Sequence, residues 1–359
     1  MTDDIHIQQF QIADLEQLLS FLRTAYPSEA RKCESAFWRW QFLENPNIQS
    51  GEIPVWVAKF GEQIVGQIAA IPVVLKIADR ETQAIWIVDL IVSAEHRGKG
   101  LGKRLMLAAK EYCPTVIALG FNELSGAILR SLNYSFIGGL HRYHLMLYPG
   151  NAVREISKYR ALRNIVNFIY TPFHRRIVSR TDDKSKCVLP VTRFDASLDD
   201  LWNRARSQWR CAVGRDSAFL KWQFIKQPGK KFEILGAYEQ ERLVGCIVLF
   251  FRKPEHGDAS EKAAITDMIY DSGCSFDVID ILLKAAIRLA IERRAGSLVA
   301  DVLDERIEKR LQTLGFWRIK NAPQFMASAN EHKDLINDAR NWFLTRADSD
   351  VSIFEMPNV

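Results

Sequence analysis

The sequence predicts an α/β fold built twice in tandem, and three observations carry that expectation. At 359 residues the chain exceeds the usual reach of a single hydrophobic core, so two domains are expected before any motif is read. Segments also recur in the same order at a nearly constant offset. Phe37-Trp38-Arg39-Trp40-Gln41-Phe42 returns as Phe219-Leu220-Lys221-Trp222-Gln223-Phe224, 182 positions on. Ala58 and Ile64-Val65-Gly66 return as Ala237 and Leu243-Val244-Gly245, an offset of 179, and Asp89 in WIVDLIV matches Asp267 in AITDMIY at 178. Leu132-Asn133-Tyr134 matches Leu314-Gly315-Phe316, again at 182. Finally, the two copies read alike: a helical region ending in the tryptophan motif, a β-hairpin (Val55 to Ala58 and Ile64 to Ala70; Ile234 to Tyr238 and Leu243 to Phe251), an apolar strand, and a helix. Another apolar strand follows (Val116 to Leu119; Leu298 to Leu303), then a helix ending near Asn133 or Gly315.

Composition agrees with two packed domains. Hydrophobic residues make up 48% and charged residues 25%, the balance of a globular protein. The N-terminus is acidic and lacks the basic start and apolar run of a secretory signal, and no segment approaches the roughly 18 uninterrupted apolar residues of a membrane span. The expectation is a cytoplasmic protein. The six cysteines, Cys33, Cys113, Cys187, Cys211, Cys246 and Cys274, form no CxxC pair, and no histidine stands at zinc-ligand spacing, so reduced thiols and no metal are expected. Cys274 is the one expected to be exposed. The repeated Trp38, Trp40 and Trp222 are expected to pack in cores rather than to form a stacking platform.

The net charge of +5 is uneven: residues 151–186 hold nine Lys or Arg against three acids, leaving the rest of the chain about neutral. The segment, with Pro172 inside it and Pro190 just beyond, reads as a solvated basic linker with amphipathic helical character. No nucleic-acid partner is expected; an anionic membrane surface is the other reading of such a stretch.

Chemistry concentrates after the strand Ile85 to Val92. Ser93-Ala94-Glu95-His96 leads into Arg97-Gly98-Lys99-Gly100-Leu101-Gly102-Lys103 and then the helical run Arg104 to Lys110. Glycines at 98, 100 and 102 remove Cβ atoms that would keep backbone amides from closing around an anion. The following helix start adds unpaired N–H donors and the positive end of its dipole. With Arg97, Lys99 and Lys103 this makes a pyrophosphate cradle. It is not a nucleotide P-loop, because no GK[ST] follows at the proper spacing, and its Gly-x-Gly-x-Gly spacing is not the dinucleotide fingerprint.

These residues resemble the GNAT superfamily of acetyl-CoA N-acyltransferases. Asp89-Leu90-Ile91-Val92 with the Arg97 to Gly102 loop looks like that family's central CoA-binding motif, with Ala94 where a proline is common. Ala118-Leu119-Gly120-Phe121-Asn122 to Leu132-Asn133-Tyr134 looks like its second motif, with Asn133-Tyr134 in place of Gly-Phe. The resemblance covers residues 5 to about 148 and extends more faintly to 187 to about 330. It implies two GNAT-like domains in tandem, each a mixed, mostly antiparallel central sheet flanked by helices. Residues 1–150 would be the acetyl-CoA-binding catalytic domain, 151–186 the linker, and 187–359 a degenerate copy without the CoA loop. It further implies that the strand edge at Leu90 and Val92 hydrogen-bonds the pantetheine arm, that the amides from Arg97 to Lys103 (Gly98, Lys99, Gly100, Leu101 and Gly102 between them) hold the pyrophosphate, and that Asn122 belongs to the cofactor site. Acetyl-CoA is then a co-substrate, and the reaction is direct attack of a substrate amine on the thioester.

The general acid departs from the pattern, because Leu129 stands where a helix tyrosine is common. His141 and Tyr143, on one face of the strand Leu140 to Leu147, are the substitutes to test. For the base, Asp89 lies on the strand face opposite Leu90 and Val92 and faces the acceptor side. In the second copy the corresponding loop, Asp271 to Asp277, has one glycine, no Arg or Lys and two acids, which repels a pyrophosphate. That copy is expected to shape the acceptor pocket or a homodimer surface, and Asp348 and Asp350 could hold a cationic acceptor. The first functional expectation is acetyl transfer to the primary amine of a small molecule, an amino sugar or amino-acid derivative. The others are a non-catalytic acyl-CoA sensor or scaffold, and an aminoacyl transferase, against which the intact loop argues.

Overall fold

The computed structural model describes residues 5–27, 30–49, 51–149, 159, 161–162, 164–169, 188–253, 261–320 and 323–348. Its first half runs β1 (Ile5–Gln9), α1 (Leu15–Ala25), α2 (Ser35–Leu43), β2 (Val55–Phe60), β3 (Gln63–Ile77), β4 (Arg80–Val92), α3 (Leu101–Tyr112), β5 (Val116–Leu119), α4 (Glu123–Ser131), β6 (Ser135–Gly139) and β7 (His141–Met146). The second half repeats that order with two strands added, β9 and β16: β8 (Val188–Pro190), α5 (Ala196–Ala205), β9 (Cys211–Val213), α6 (Ser217–Leu220), β10 (Phe232–Glu239), β11 (Arg242–Arg252), β12 (Lys262–Tyr270), α7 (Val278–Glu292), β13 (Ser297–Leu303), α8 (Glu305–Thr313), β14 (Trp317–Ile319), β15 (Gln324–Ser328) and β16 (Trp342–Thr345).

Local sequence accounts for these elements. Leu15, Leu18, Leu19 and Leu22 recur at helical spacing and are the buried stripe of α1. The β2–β3 hairpin turns at Gly61, whose φ of +56° is left-handed. The tryptophans are core: Trp38, Trp40 and Trp222 are all buried. Cys33, Cys113, Cys211 and Cys246 are buried and Cys274 half-buried, while Cys187 lies outside the described residues. Among the described residues no group of His, Cys, Asp or Glu is arranged to hold a metal, and no helix is long and apolar enough to cross a membrane.

Within each half the strands run mostly antiparallel, β1-β2-β3-β4 and β8-β10-β11-β12, and each half adds one parallel strand, β5 or β13. The two ends are exchanged. β7 leaves the first half and inserts antiparallel between β13 and β14, while β15 leaves the second and inserts between β5 and β6. The cause is local at the first crossing, since only Leu140 separates β6 from β7 and a hairpin needs about two loop residues. The chain therefore carries straight on into the other half's sheet. A bridge completes the connection: the end of β3 pairs with β9, β9 runs parallel to β16, and β16 pairs with β13, so one hydrogen-bonded path crosses the molecule.

A boundary at 150 and 187 thus follows the chain but not the strand pairing. One apolar cluster holds Phe37, Trp40 and Val73 of the first half together with Phe219, Trp222 and Phe325 of the second.

Candidate functional site

The site begins where β4 and β5 part. They pair only at Ile85 with Val116 and Trp86 with Ile117, so from Ile87 to Val92 the β5-facing edge of β4 is open. On its other side β4 stays paired with β3 through Val92, and Ser93 N–H donates to Val65 O at 2.9 Å. In an extended strand neighbouring residues present their backbone groups to opposite edges, so the N–H and C=O of Val92 face the opening. Arg97 marks that direction, its Nε donating to Val92 O at 3.0 Å.

The loop that follows has the conformation its glycines predict. Gly98 and Gly100 have φ of +77° and +75°, and Gly100 is the left-handed N-cap of α3. Arg104 N–H is the first to close onto the cap, at 3.1 Å to Gly100 O. The amides of Leu101, Gly102 and Lys103 before it have no intrahelical acceptor and point out of the helix end. Gly102 differs from these two: a Cβ there would lie 2.9 Å from Ile128 Cδ1 on α4 and 4.0 Å from Leu90 Cδ2, so the Ile128 side chain would have to shift. Arg97, Gly98, Lys99, Gly100 and Lys103 are exposed around this helix start, and Leu101 is buried beneath it. The Leu90 and Val92 side chains pack toward α3, as the strand alternation predicted.

Asp89 sits at a bulge where the β3–β4 register shifts between Gln67 and Ala69, and its φ of +51° is left-handed. Its carboxylate takes an ion pair from Lys32, Oδ1 to Nζ 2.8 Å, with only 6% of the Asp89 side chain exposed. Lys32 Nζ also lies 4.5 Å from the centroid of Tyr26. Tyr26 in turn lines a cleft of 680 Å³ between the end of α1 and the start of α2, with Arg23, Cys33 and Glu34. Asp89 therefore faces away from the glycine loop, toward the α1–α2 side. Sequence reasoning missed Lys32, whose segment carries no periodic signal.

Other expected residues are placed elsewhere. Asn122 is exposed and caps α4, its Oδ1 accepting from Ser125 N–H at 2.9 Å. Leu129 is buried in the core beneath α3, so its position offers no proton donor to the opening. His141 and Tyr143 ride on the exchanged strand into the second half, a correction to their expected place at the first half's opening. There His141 Nδ1 lies 2.6 Å from Glu308 Oε2 of α8, and Tyr143 OH donates to the same oxygen at 2.8 Å. Burial and the Glu308 carboxylate push the Tyr143 phenol up to about 12, which makes it a poor proton donor as well as a misplaced one.

In the second half the matching strands diverge as well, β12 and β13 pairing only from Lys262 with Ser297 to Ile265 with Ala300. Asp267, the counterpart of Asp89, binds a buried Arg215 (Nε to Oδ2 3.1 Å), and Arg215 Nη2 reaches Asp348 at 2.6 Å. Burial raises the Asp348 carboxyl above the usual range against the pull of Arg215. Asp348 is thus engaged within the fold and does not present itself to a cationic acceptor, and Asp350 lies outside the described residues. The loop acids are internally paired too: Asp271 with Arg204 at 2.8 Å, and Asp277 with Arg310. They line a separate cleft of 450 Å³ with Arg306 and Lys309.

A twice-built α/β sheet with a diverging strand pair and a glycine-rich helix start beside it has, in its first half, the fold of a GNAT domain. Residues 6–137 match the acetyltransferase (GNAT) domain family. Solved structures of the same overall shape include yeast (Saccharomyces cerevisiae) N-myristoyltransferase with bound myristoyl-CoA, at TM-score 0.58 and 12% identity over 91% of this chain and 83% of that one. A GCN5-related N-acetyltransferase from Anabaena variabilis gives TM-score 0.61 and 12% identity over 90% and 72%. Another from Kribbella flavida gives TM-score 0.58 and 14% identity over 90% and 71%. At these identities the likeness establishes the fold. No curated protein matches the chain significantly in sequence.

Proposed function

We propose that the protein is an acetyl-CoA-dependent N-acyltransferase that moves the acetyl group from the thioester to the primary amine of a small molecule such as an amino sugar or amino-acid derivative. The observation that carries this reading is the open β4 edge beside the left-handed Gly98–Gly100 turn. A pantetheine arm laid along Leu90 to Val92 as an added strand brings the pyrophosphate to the amides of Leu101, Gly102 and Lys103. Arg97, Lys99 and Lys103 supply the counter-charge.

The acceptor enters from the α1–α2 side. Its nitrogen attacks the thioester carbonyl carbon, the C–S bond breaks, and the ammonium proton passes to Asp89. Lys32, ion-paired to Oδ1 at 2.8 Å, orients the Asp89 carboxylate toward that side. The departing thiolate takes its proton from water, since Leu129 is in the core and Tyr143 in the other half. The second half binds no CoA and braces the first through the exchanged strands. Acetyl-CoA in the cytoplasm is the expected donor pool, and no metal takes part.

One observation favours a second reading, a non-catalytic acyl-CoA sensor: the absence of a phenol at Leu129. Calorimetric titration with acetyl-CoA, on the wild type and on Gly100→Asp with Arg97→Glu, tests the site. Binding that the double change abolishes supports the cofactor assignment, and turnover on an amine panel then separates enzyme from sensor. Failure of the wild type to bind acetyl-CoA overturns both.

A further inference from the structure

Residues 164–169 form a helix in which Ile165, Phe168 and Ile169 are exposed and Val166 is half-buried. Leu162, Ile165, Phe168 and Ile169, with Tyr159 just before them, are between 45% and 80% exposed. At 100° per residue Ile165, Phe168 and Ile169 fall on one face, while Asn164 and Asn167 fall on the other. Five large apolar side chains in one exposed stretch exceed the scattered exposure of a normal surface and mark a contact face.

We propose that this helix docks the protein on an anionic lipid surface. The argument for that occupant is charge. Residues 151–186, which contain the helix, hold nine Lys or Arg against three acids, more positive charge than the +5 of the whole chain. An apolar face carrying Phe and Tyr within a basic segment is the composition that inserts at the headgroup boundary and is held there by anionic lipids. A second copy of the chain fits less well, because a symmetric contact through this face brings two such basic segments together. Nucleic acid accounts for the charge but gives the apolar face nothing to bury.

Sedimentation of the full chain with phosphatidylcholine vesicles, alone or containing about a third phosphatidylglycerol, tests the proposal. Binding at least about ten-fold stronger to the anionic vesicles is expected, falling as salt is raised. Phe168→Asp with Ile169→Asp removes it, and Arg175→Glu with Arg176→Glu weakens it. Both variants should keep the wild-type melting temperature and acetyl-CoA titration; Phe168 and Ile169 are exposed. Equal partition onto both vesicle types, or binding that survives the Phe168 and Ile169 changes, overturns the proposal. So does a lipid-free wild-type dimer that those two changes dissociate, which assigns the face to self-association.

Discussion

Trp40 and Trp222 each donate the indole N–H to the other's backbone carbonyl at 2.9 Å, with ring centroids 4.9 Å apart and planes inclined by 15°. The two residues are 182 positions apart and occupy equivalent places in the repeat, so the contact is self-complementary in the way an isologous dimer interface is. It marks the axis that relates the halves. The strand exchange obeys the same relation: what β7 does for β13 and β14, β15 does for β5 and β6.

Trp40→Phe and Trp222→Phe should each cost about 1–3 kcal/mol, because each leaves a buried carbonyl unpaired and shrinks the stack. The double variant should be less destabilised than the sum of the two by about 1 kcal/mol, since the second change removes an interaction already broken. Urea unfolding followed by far-UV circular dichroism measures this. Strict additivity would mean the rings act as independent core residues.

Asp89→Asn should lower kcat/KM for an amine acceptor by about 100-fold or more while leaving acetyl-CoA affinity within about two-fold of wild type, because the side chain faces away from the glycine loop. Lys32→Met should also slow turnover, since the carboxylate loses the ion-pair partner that orients it. Equal losses of acetyl-CoA binding in both variants would place the pair in the cofactor site instead.

Arg215→Met should be among the most damaging single changes in the chain. Arg215 is buried between Asp267 and Asp348, and its loss strands two carboxylates in the core at a cost of about 3–5 kcal/mol. The triple change Arg215→Met, Asp267→Leu, Asp348→Leu should recover most of the loss in a thermal melt. A mild effect of the single change would show that water reaches the cluster.

Much of this was legible beforehand, for physical reasons that can be assigned residue by residue. The Gly98–Gly100 turn was readable because left-handed backbone selects glycine, and the repeat because Trp40 and Trp222 both fill one shared core. Lys32 was not, since an ion pair between residues 57 positions apart leaves no periodic trace. The exchange was not legible either. β7 offers the same alternation of buried side chains to either half, and sequence pattern specifies a strand's faces but not the chain its edges meet. The single residue Leu140 between β6 and β7 was the only local sign, and it becomes visible only once strand ends are known. His141 and Tyr143 were misplaced for that reason.

His144 links the exchange to pH. It lies on β7 opposite Val299, packs edge-on against Trp317 at 4.8 Å, and its Nδ1 is buried with no hydrogen-bond partner. Burial first, and Lys262 second, lower its pKa from 6.5 to about 4. Between those two values the unfolded chain binds a proton that the folded chain refuses, so stability falls as pH drops from 6.5 toward 4 and this contribution levels off below it. The full difference corresponds to about 3 kcal/mol at most. In His144→Phe, which keeps an aromatic edge for Trp317, that part of the acid limb should disappear. Chemical denaturation between pH 7 and about pH 4 compares the two proteins, and an identical acid slope in both would show that His144 is hydrated in the folded state.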